Sequence, residues 1–244
     1  MIKVKPYKFD GIYRIDNKFA TINLIPGFKS ANEELITVDS IEYRIWDSWT
    51  SKPSASFKKG LKIFPLKKDD KVLYLGLAEA KTASYFSDIV GKNGIIWGVE
   101  ISERSLREAI RVCERRGNII PILNDARRPE LYENIILEHV DCLYADVASP
   151  DQIQILIRNC EKFLKKNGFA MIAIKSQSID VTKPPKEVYR EALALLEGYF
   201  EILDKVELDP YEKMHLFVVL RYKKDDGKSV VPIHEERKKI AISI

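Results

Sequence analysis

Five short segments of this chain carry side chains able to bind a polar ligand or move a proton, and each follows an apolar, strand-like run. They are Gly76-Leu-Ala-Glu-Ala-Lys-Thr82, Glu100, Asn124-Asp-Ala-Arg127, Asp146-Val-Ala-Ser-Pro-Asp-Gln152 and Lys175-Ser-Gln-Ser-Ile-Asp180. An acidic residue ending a strand suits acceptance of hydrogen bonds from two ribose hydroxyls, which makes Glu100 a ribose candidate. A solvated strand-end glutamate is the alternative. Asp125 is placed either to accept from an adenine amino group or to cap the Asp-Ala-Arg-Arg-Pro turn. Asp146 and Lys175 fall at the ends of neighbouring central strands, close enough to pair. That pairing suits proton transfer or polarisation of a hydroxyl, with a structural salt bridge as the plainer reading.

The elements that must hold these segments form an alternating series. Strands are expected near 72–76, 95–100, 119–123, 141–146 and 169–174, with helices near 81–90, 103–116, 151–166 and 185–197. Such β-α-β alternation predicts a mostly parallel sheet covered by helices on both faces, with ligands bound beyond the carboxyl ends of its strands. Two further strands, near 200–207 and 215–222, follow one another without a helix, so the last inserts antiparallel. In helix 151–166, Ile153, Leu156, Ile157, Cys160 and Leu164 fall on one face. Before this series, the first 50 or so residues read as short antiparallel hairpins, punctuated by Asp16-Asn17 and Pro26-Gly27. The division expected is residues 1–52 as a small β domain, 53–223 as the main domain and 224–244 as a charged tail.

Composition restricts the function classes. At 244 residues, with 45% hydrophobic and 31% charged, the chain has the makeup of a folded globular protein. No apolar run reaches about 18 residues, so no membrane span or association is expected. Cys113, Cys142 and Cys160 lack CxxC spacing and read as reduced core residues rather than a disulfide framework or zinc site. The net charge of +4 and pI near 8.7 permit a nucleic-acid partner without demanding one.

From about residue 10 to Tyr222 the sequence resembles the archaeal fibrillarins. The resemblance rests on Asn23-Leu-Ile-Pro-Gly27, Glu42-Tyr-Arg-Ile-Trp46, Val72-Leu-Tyr-Leu-Gly76 and Asn118-Ile-Ile-Pro-Ile-Leu-Asn-Asp-Ala-Arg127. It also rests on Met171-Ile-Ala-Ile-Lys175, Ser178-Ile-Asp-Val-Thr-Lys183 and Asp209-Pro-Tyr-Glu-Lys-Met-His215. It implies an α/β fold, a Rossmann-like seven-stranded S-adenosylmethionine-dependent methyltransferase sheet behind a small antiparallel β domain. The implied activity is 2′-O-methylation of ribose in rRNA and tRNA. Implied partners are a box C/D guide RNA, a Nop-domain scaffold protein and a kink-turn-binding ribosomal-type protein, in an archaeal cytoplasmic setting.

Carried over motif by motif, the resemblance implies Lys52, Asp146, Lys175 and His215 as the catalytic constellation. Asp146 and Lys175 would orient and deprotonate the 2′-hydroxyl while Lys52 and His215 position the substrate. The implied cofactor contacts are Gly76, Ala78, Lys81, Thr82, Glu100, Ile101, Asp125, Ala126, Asp146 and Gln152. One element departs from the family. Where relatives read Gly-Ala-Ala-Ser-Gly-Thr-Thr, this chain reads Gly76-Leu-Ala-Glu-Ala-Lys-Thr82. If the position of Ala80 needs positive φ or close approach to a ligand, its methyl group opposes both. Lys81 near a sulfonium would repel it, whereas beside the methionyl carboxylate it would help, and Glu79 would attract a methionyl amino group. The alternative reading is therefore a paralogue that has lost its cofactor and serves as a non-catalytic subunit.

Overall fold

The structure is a computed structural model, and it describes residues 2–223; the expected tail, 224–244, lies outside the described residues. The N-terminal hairpins form a five-stranded antiparallel sheet from β1 (Val4–Pro6), β2 (Ile12–Ile15), β3 (Lys18–Ile22), β4 (Leu35–Val38) and β5 (Ile41–Trp46), in the order β1-β2-β3-β5-β4. β1 was not anticipated. Neither was helix α1 (Lys52–Lys58), which opens with Pro53 in its first turn, where the missing N–H costs nothing.

The main sheet contains β6 (Lys71–Leu75), β7 (Ile95–Glu100), β8 (Ile119–Leu123), β9 (Val140–Ala145), β10 (Leu164–Lys175), β11 (Phe200–Glu207) and β12 (His215–Tyr222). Their order is β11-β12-β10-β9-β6-β7-β8. From β6 the chain winds outward through β7 and β8, then returns to β9 on the other side. The switch point therefore lies between the ends of β6 and β9, where open α/β sheets bind ligands. β12 inserts antiparallel between β10 and β11, as expected. The connecting helices are α2 (Lys81–Val90), α3 (Glu103–Arg116), α4 (Gln152–Phe163), α5 (Ser176–Ile179) and α6 (Pro185–Glu197). α4 ends earlier than the apolar periodicity predicts. Leu164 leaves the helix to pair with Val140 at the start of β10, and a bulge before Phe169 absorbs the offset.

The two sheets share one core. Phe9, Trp46 and Phe57 pack in the same cluster as Phe86, Tyr144 and Phe217. Trp46 stacks on Tyr85 with ring centroids 4.8 Å apart. Beside this apolar seam runs a buried ion network. Arg44 on β5 donates to Glu33 and Asp88, each at 2.6 Å, and Arg116 on α3 donates to Asp88 at 2.7 Å. All three side chains of the Arg44, Asp88 and Arg116 set are fully buried. Desolvation on this scale is offset only when the charges are paired in good geometry, so the network fixes how the small sheet sits on α2 and α3. That seating matters because the segment leaving β5 carries Lys52.

Candidate active site

The loop after β6 is set by backbone demands. Gly76 has φ +83°, and a Cβ added there would lie 2.4 Å from the Asp146 carbonyl oxygen. Only glycine lets the β6 and β9 ends approach this closely. Gly76 and Leu77 both donate their N–H to the Val99 carbonyl, and Ala78 donates its N–H to Glu100 Oε2 at 2.8 Å. Leu77 fills the space that β7 leaves at Gly98, where an added Cβ would meet its Cδ1 at 2.6 Å.

Ala80 does adopt the left-handed conformation, with φ +60°, as the N-cap of α2. The second half of the expectation fails. Its methyl is fully buried in the apolar core and lines neither cavity described below. The substitution therefore carries a conformational cost, of order 1–2 kcal/mol for an L-residue in this region, without obstructing a ligand. The two charges introduced on either side pair with each other, Lys81 Nζ to Glu79 Oε2 at 2.5 Å.

Two cavities meet at the switch point. The first, about 320 Å³, is lined by Gly76, Ala78, Glu100, Ile101, Asp125, Ala126 and Asp146, among others. Each Glu100 oxygen accepts one backbone N–H, from Ala78 and from Ser102, which fixes the carboxylate and leaves lone pairs for further donors. Asp125 caps the turn by accepting from the Arg127 N–H at 2.9 Å, the plainer of its two anticipated roles, and it also lines the cavity. Arg127, which ends one of the segments named from the sequence but was given no role there, reaches from Asp125 across to Ser149 Oγ at 2.9 Å and Asp151 at 3.2 Å. It closes one wall. Gln152 stands apart: it is fully buried and lines neither cavity. Its amide nitrogen donates to the Ser149 and Lys175 carbonyls while its oxygen accepts from the Lys175 N–H. It braces the end of β10.

The second cavity, about 330 Å³, brings together Lys52, Lys81, Thr82, Asp146, Lys175 and His215. β10 and β12 pair Lys175 directly with His215, so the antiparallel insertion of the last strand accounts for that neighbourhood. Asp146 follows β9, one strand over. The anticipated pairing of Asp146 with Lys175 is corrected. Lys52 Nζ, at the start of α1, lies 2.9 Å from Asp146 Oδ2, and the Tyr144 hydroxyl approaches the same oxygen at 3.4 Å. Lys175 stands further beyond the last paired residues, Ile172 and Ala145, than Asp146 does. Its ammonium has no ion pair among the described residues. Thr82 Oγ1 lies 3.1 Å from Ser51 Oγ, linking α2 to the segment that presents Lys52.

His215 is buried, and its Nδ1 is 2.7 Å from the Lys213 carbonyl oxygen. A carbonyl only accepts, so Nδ1 carries the proton and Nε2 keeps a lone pair in the neutral ring. Burial, reinforced by the Lys52 charge, lowers the His215 pKa below its usual 6.5, so the ring is neutral at neutral pH. Glu212 Oε1 completes the cluster, 3.8 Å from His215 Nε2 and 3.9 Å from Lys52 Nζ. Its place in the same short motif as His215 was the available signal. The assembly offers an anchored carboxylate, an uncommitted ammonium and a neutral imidazole around one small volume, a set suited to polarising a hydroxyl.

The sequence profile of the Fibrillarin family matches residues 4–224. The chain belongs to the fibrillarin family. A fibrillarin-like rRNA/tRNA 2′-O-methyltransferase of Pyrococcus abyssi is 47% identical over 226 residues, covering 91% of this chain and 99% of the relative. Among solved structures, Aeropyrum pernix fibrillarin with natively bound S-adenosyl-L-methionine superposes with a TM-score of 0.82 at 41% identity, covering 90% of this chain and 100% of that one. A fibrillarin in complex with Nop5p gives a TM-score of 0.80 at 37% identity, covering 87% of this chain and 98% of that one. Fibrillarin membership and the seven-stranded methyltransferase sheet thus agree with the expectation drawn from the motifs.

Proposed function

We propose that this fibrillarin transfers a methyl group from S-adenosylmethionine to ribose 2′-hydroxyls of rRNA and tRNA, as the catalytic subunit of a box C/D guide ribonucleoprotein. The observation that carries the reading is the continuity of the two cavities. Gly76, Ala78, Asp146, Val147 and Ala148 line both, so a ligand seated against Glu100 and Asp125 ends beside the Lys52, Asp146, Lys175 and His215 cluster. The first cavity fits a nucleoside: it has a carboxylate for ribose hydroxyls, a second carboxylate for an amino group, and a glycine that keeps the floor open. Glu100, Ile101, Asp125 and Ala126 would hold the adenosine, with Gly76, Ala78, Lys81 and Thr82 around the methionyl portion.

When bound, the cofactor supplies an electrophilic methyl group on sulfur. The chain supplies alignment and a path for one proton. Asp146, held by Lys52, accepts a hydrogen bond from the 2′-hydroxyl and receives its proton as the oxygen becomes nucleophilic. Lys175 places an ammonium beside the developing negative charge, which lowers its electrostatic cost. Neutral His215 and Lys52 position the ribose and its neighbouring phosphates.

The guide RNA, the Nop-domain scaffold and the kink-turn-binding ribosomal-type protein belong to the same proposal. The likeness to the fibrillarin of the Nop5p complex supports the scaffold. A cytoplasmic setting is proposed too, supported by three buried cysteines that form no disulfide. Among the described residues, no helix is long and apolar enough to cross a membrane.

Single-turnover methyl transfer in the reconstituted particle tests the assignment. Lys175→Ala is expected to slow transfer by about 10²-fold or more while leaving cofactor affinity within about threefold. Full-rate transfer by Lys175→Ala and by Asp146→Ala would overturn it.

A further inference from the structure

Trp49 is a large exposed aromatic side chain beside the site that the chemistry above does not use. It is 62% exposed, whereas Trp46 and Trp97 are 1% and 4% exposed. It is held where it is. Its backbone N–H donates to Asp47 Oδ1 at 3.1 Å, within the turn that connects β5 to α1. Its indole lies against the Tyr211 ring, with centroids 4.8 Å apart and planes inclined at 57°. Tyr211 is itself half-buried and immediately precedes Glu212.

This pair sits between two unlike surfaces. On one side lies a groove of about 500 Å³, lined by Lys18, Glu34, Asp47, Lys58 and both aromatic rings. Its charges are mixed and partly cancelled, Lys18 pairing with Glu34 at 2.6 Å. On the other side Thr50 and Glu212, the neighbours of the two rings, form part of the wall of the cavity that holds Lys52, Lys175 and His215. An aromatic ledge is thus continuous with the reactive volume. A phosphate would be drawn to the uncommitted Lys175 ammonium, and a flat apolar group would be drawn to the ledge. A nucleotide has both parts.

We propose that Trp49, backed by Tyr211, is the platform on which a nucleobase of the substrate RNA strand stacks beside the target ribose. This makes Trp49 a substrate-positioning residue, and the assignment rests on the methyltransferase reading above. Base stacking on an exposed aromatic tolerates any base, because every base has a π face. The platform would therefore add affinity and alignment without restricting the guide-defined sequence.

The test uses the reconstituted particle, with this chain alone carrying 5-fluorotryptophan, and a target oligonucleotide as probe. The three tryptophans give three fluorine resonances. The Trp49 resonance is expected to shift when the oligonucleotide is added, with those of Trp46 and Trp97 unmoved. Trp49→Ala is expected to raise KM for the oligonucleotide about tenfold with kcat within about threefold. S-Adenosylmethionine affinity should be unchanged, and Trp49→Phe should recover most of the lost affinity. An unmoved resonance and unchanged KM, in a particle that still methylates, would overturn the platform while leaving the activity intact. A resonance that moves when the protein scaffold binds, and not when RNA is added, would also overturn it, in favour of a protein contact. A shift on adding RNA without methyl transfer by wild type would uphold the platform and remove the catalytic reading.

Discussion

Glu79 and Lys81, the two charged residues of the altered loop, pair with each other at 2.5 Å on the rim of the reactive cavity. Each alone would bias the site towards or against a cationic sulfonium; together they present a nearly neutral rim. Glu79→Ser leaves an uncompensated ammonium and should weaken S-adenosylmethionine relative to uncharged S-adenosylhomocysteine. Lys81→Thr should do the reverse. With both side chains substantially exposed, each single change should alter that ratio by about two- to fivefold, and the double variant should restore it. Calorimetric titration of the four proteins with both ligands measures this. Single variants that move the ratio in the same direction would contradict the pairing.

Ala80→Gly should stabilise the fold without changing ligand affinity. It relieves a left-handed alanine, worth of order 1–2 kcal/mol, and returns about 0.5–1 kcal/mol of backbone entropy to the unfolded chain. The net expectation is a gain of about 0.5–1 kcal/mol in urea unfolding. A more than threefold change in S-adenosylmethionine affinity would show that the methyl group reaches the ligand after all.

The buried network should dominate the response to mutation at the seam between the sheets. Asp88→Ala leaves the fully buried Arg116 without its ion pair and Arg44 with Glu33 alone, and should cost about 3–5 kcal/mol. Asp88→Asn keeps the shape and allows the comparison if the alanine variant does not fold. A loss below about 1 kcal/mol in denaturant unfolding would mean the network is dispensable.

Acid should attack the same seam through Glu33. Burial alone would raise its carboxyl pKa, but the Arg44 charge and hydrogen bonds from Arg44 and Ser30 outweigh burial and hold it below the usual range. A depressed folded value means the contribution is fully present above the unfolded carboxylate range, near pH 4.3. It is lost as pH falls through the folded value. Glu33→Gln should therefore flatten the stability-against-pH curve below about pH 4.5. An unaltered acid slope would exclude the contribution.

The pH profile of methyl transfer carries the signature of His215. Because burial and Lys52 lower its pKa, the ring should protonate only below its ordinary 6.5. An acid limb arising from His215 must therefore fall below pH 6.5, and His215→Ala should remove it. A His215-dependent limb at or above pH 6.5 would contradict the neutral-imidazole description.

Much of this arrangement is readable from local pattern. The alternation of elements places Gly76, Glu100, Asp125 and Asp146 at strand ends, and two consecutive final strands imply the antiparallel insertion that pairs Lys175 with His215. What could not be read depends on contacts distant along the chain. Lys52 and Asp146 are 94 positions apart, and no periodicity joins a residue at the start of α1 to the end of β9. The Arg44–Asp88 contact, which seats the small sheet, is equally non-local. The direction of the Ala80 methyl escaped because one backbone angle decides whether that group faces the ligand or the core. Gln152 was assigned to the cofactor through its motif, whereas its burial and its three hydrogen bonds with the Ser149 and Lys175 backbone make it a brace.

The central claim is that the altered loop still admits the cofactor. Calorimetric titration of the wild-type protein with S-adenosylmethionine tests it most directly, beside the Ala80→Gly, Lys81→Thr double variant. Saturable one-to-one binding by the wild type, with the variant's affinity within about fivefold of it, is the predicted result. No binding by the wild type, with binding restored in the variant, would contradict the account.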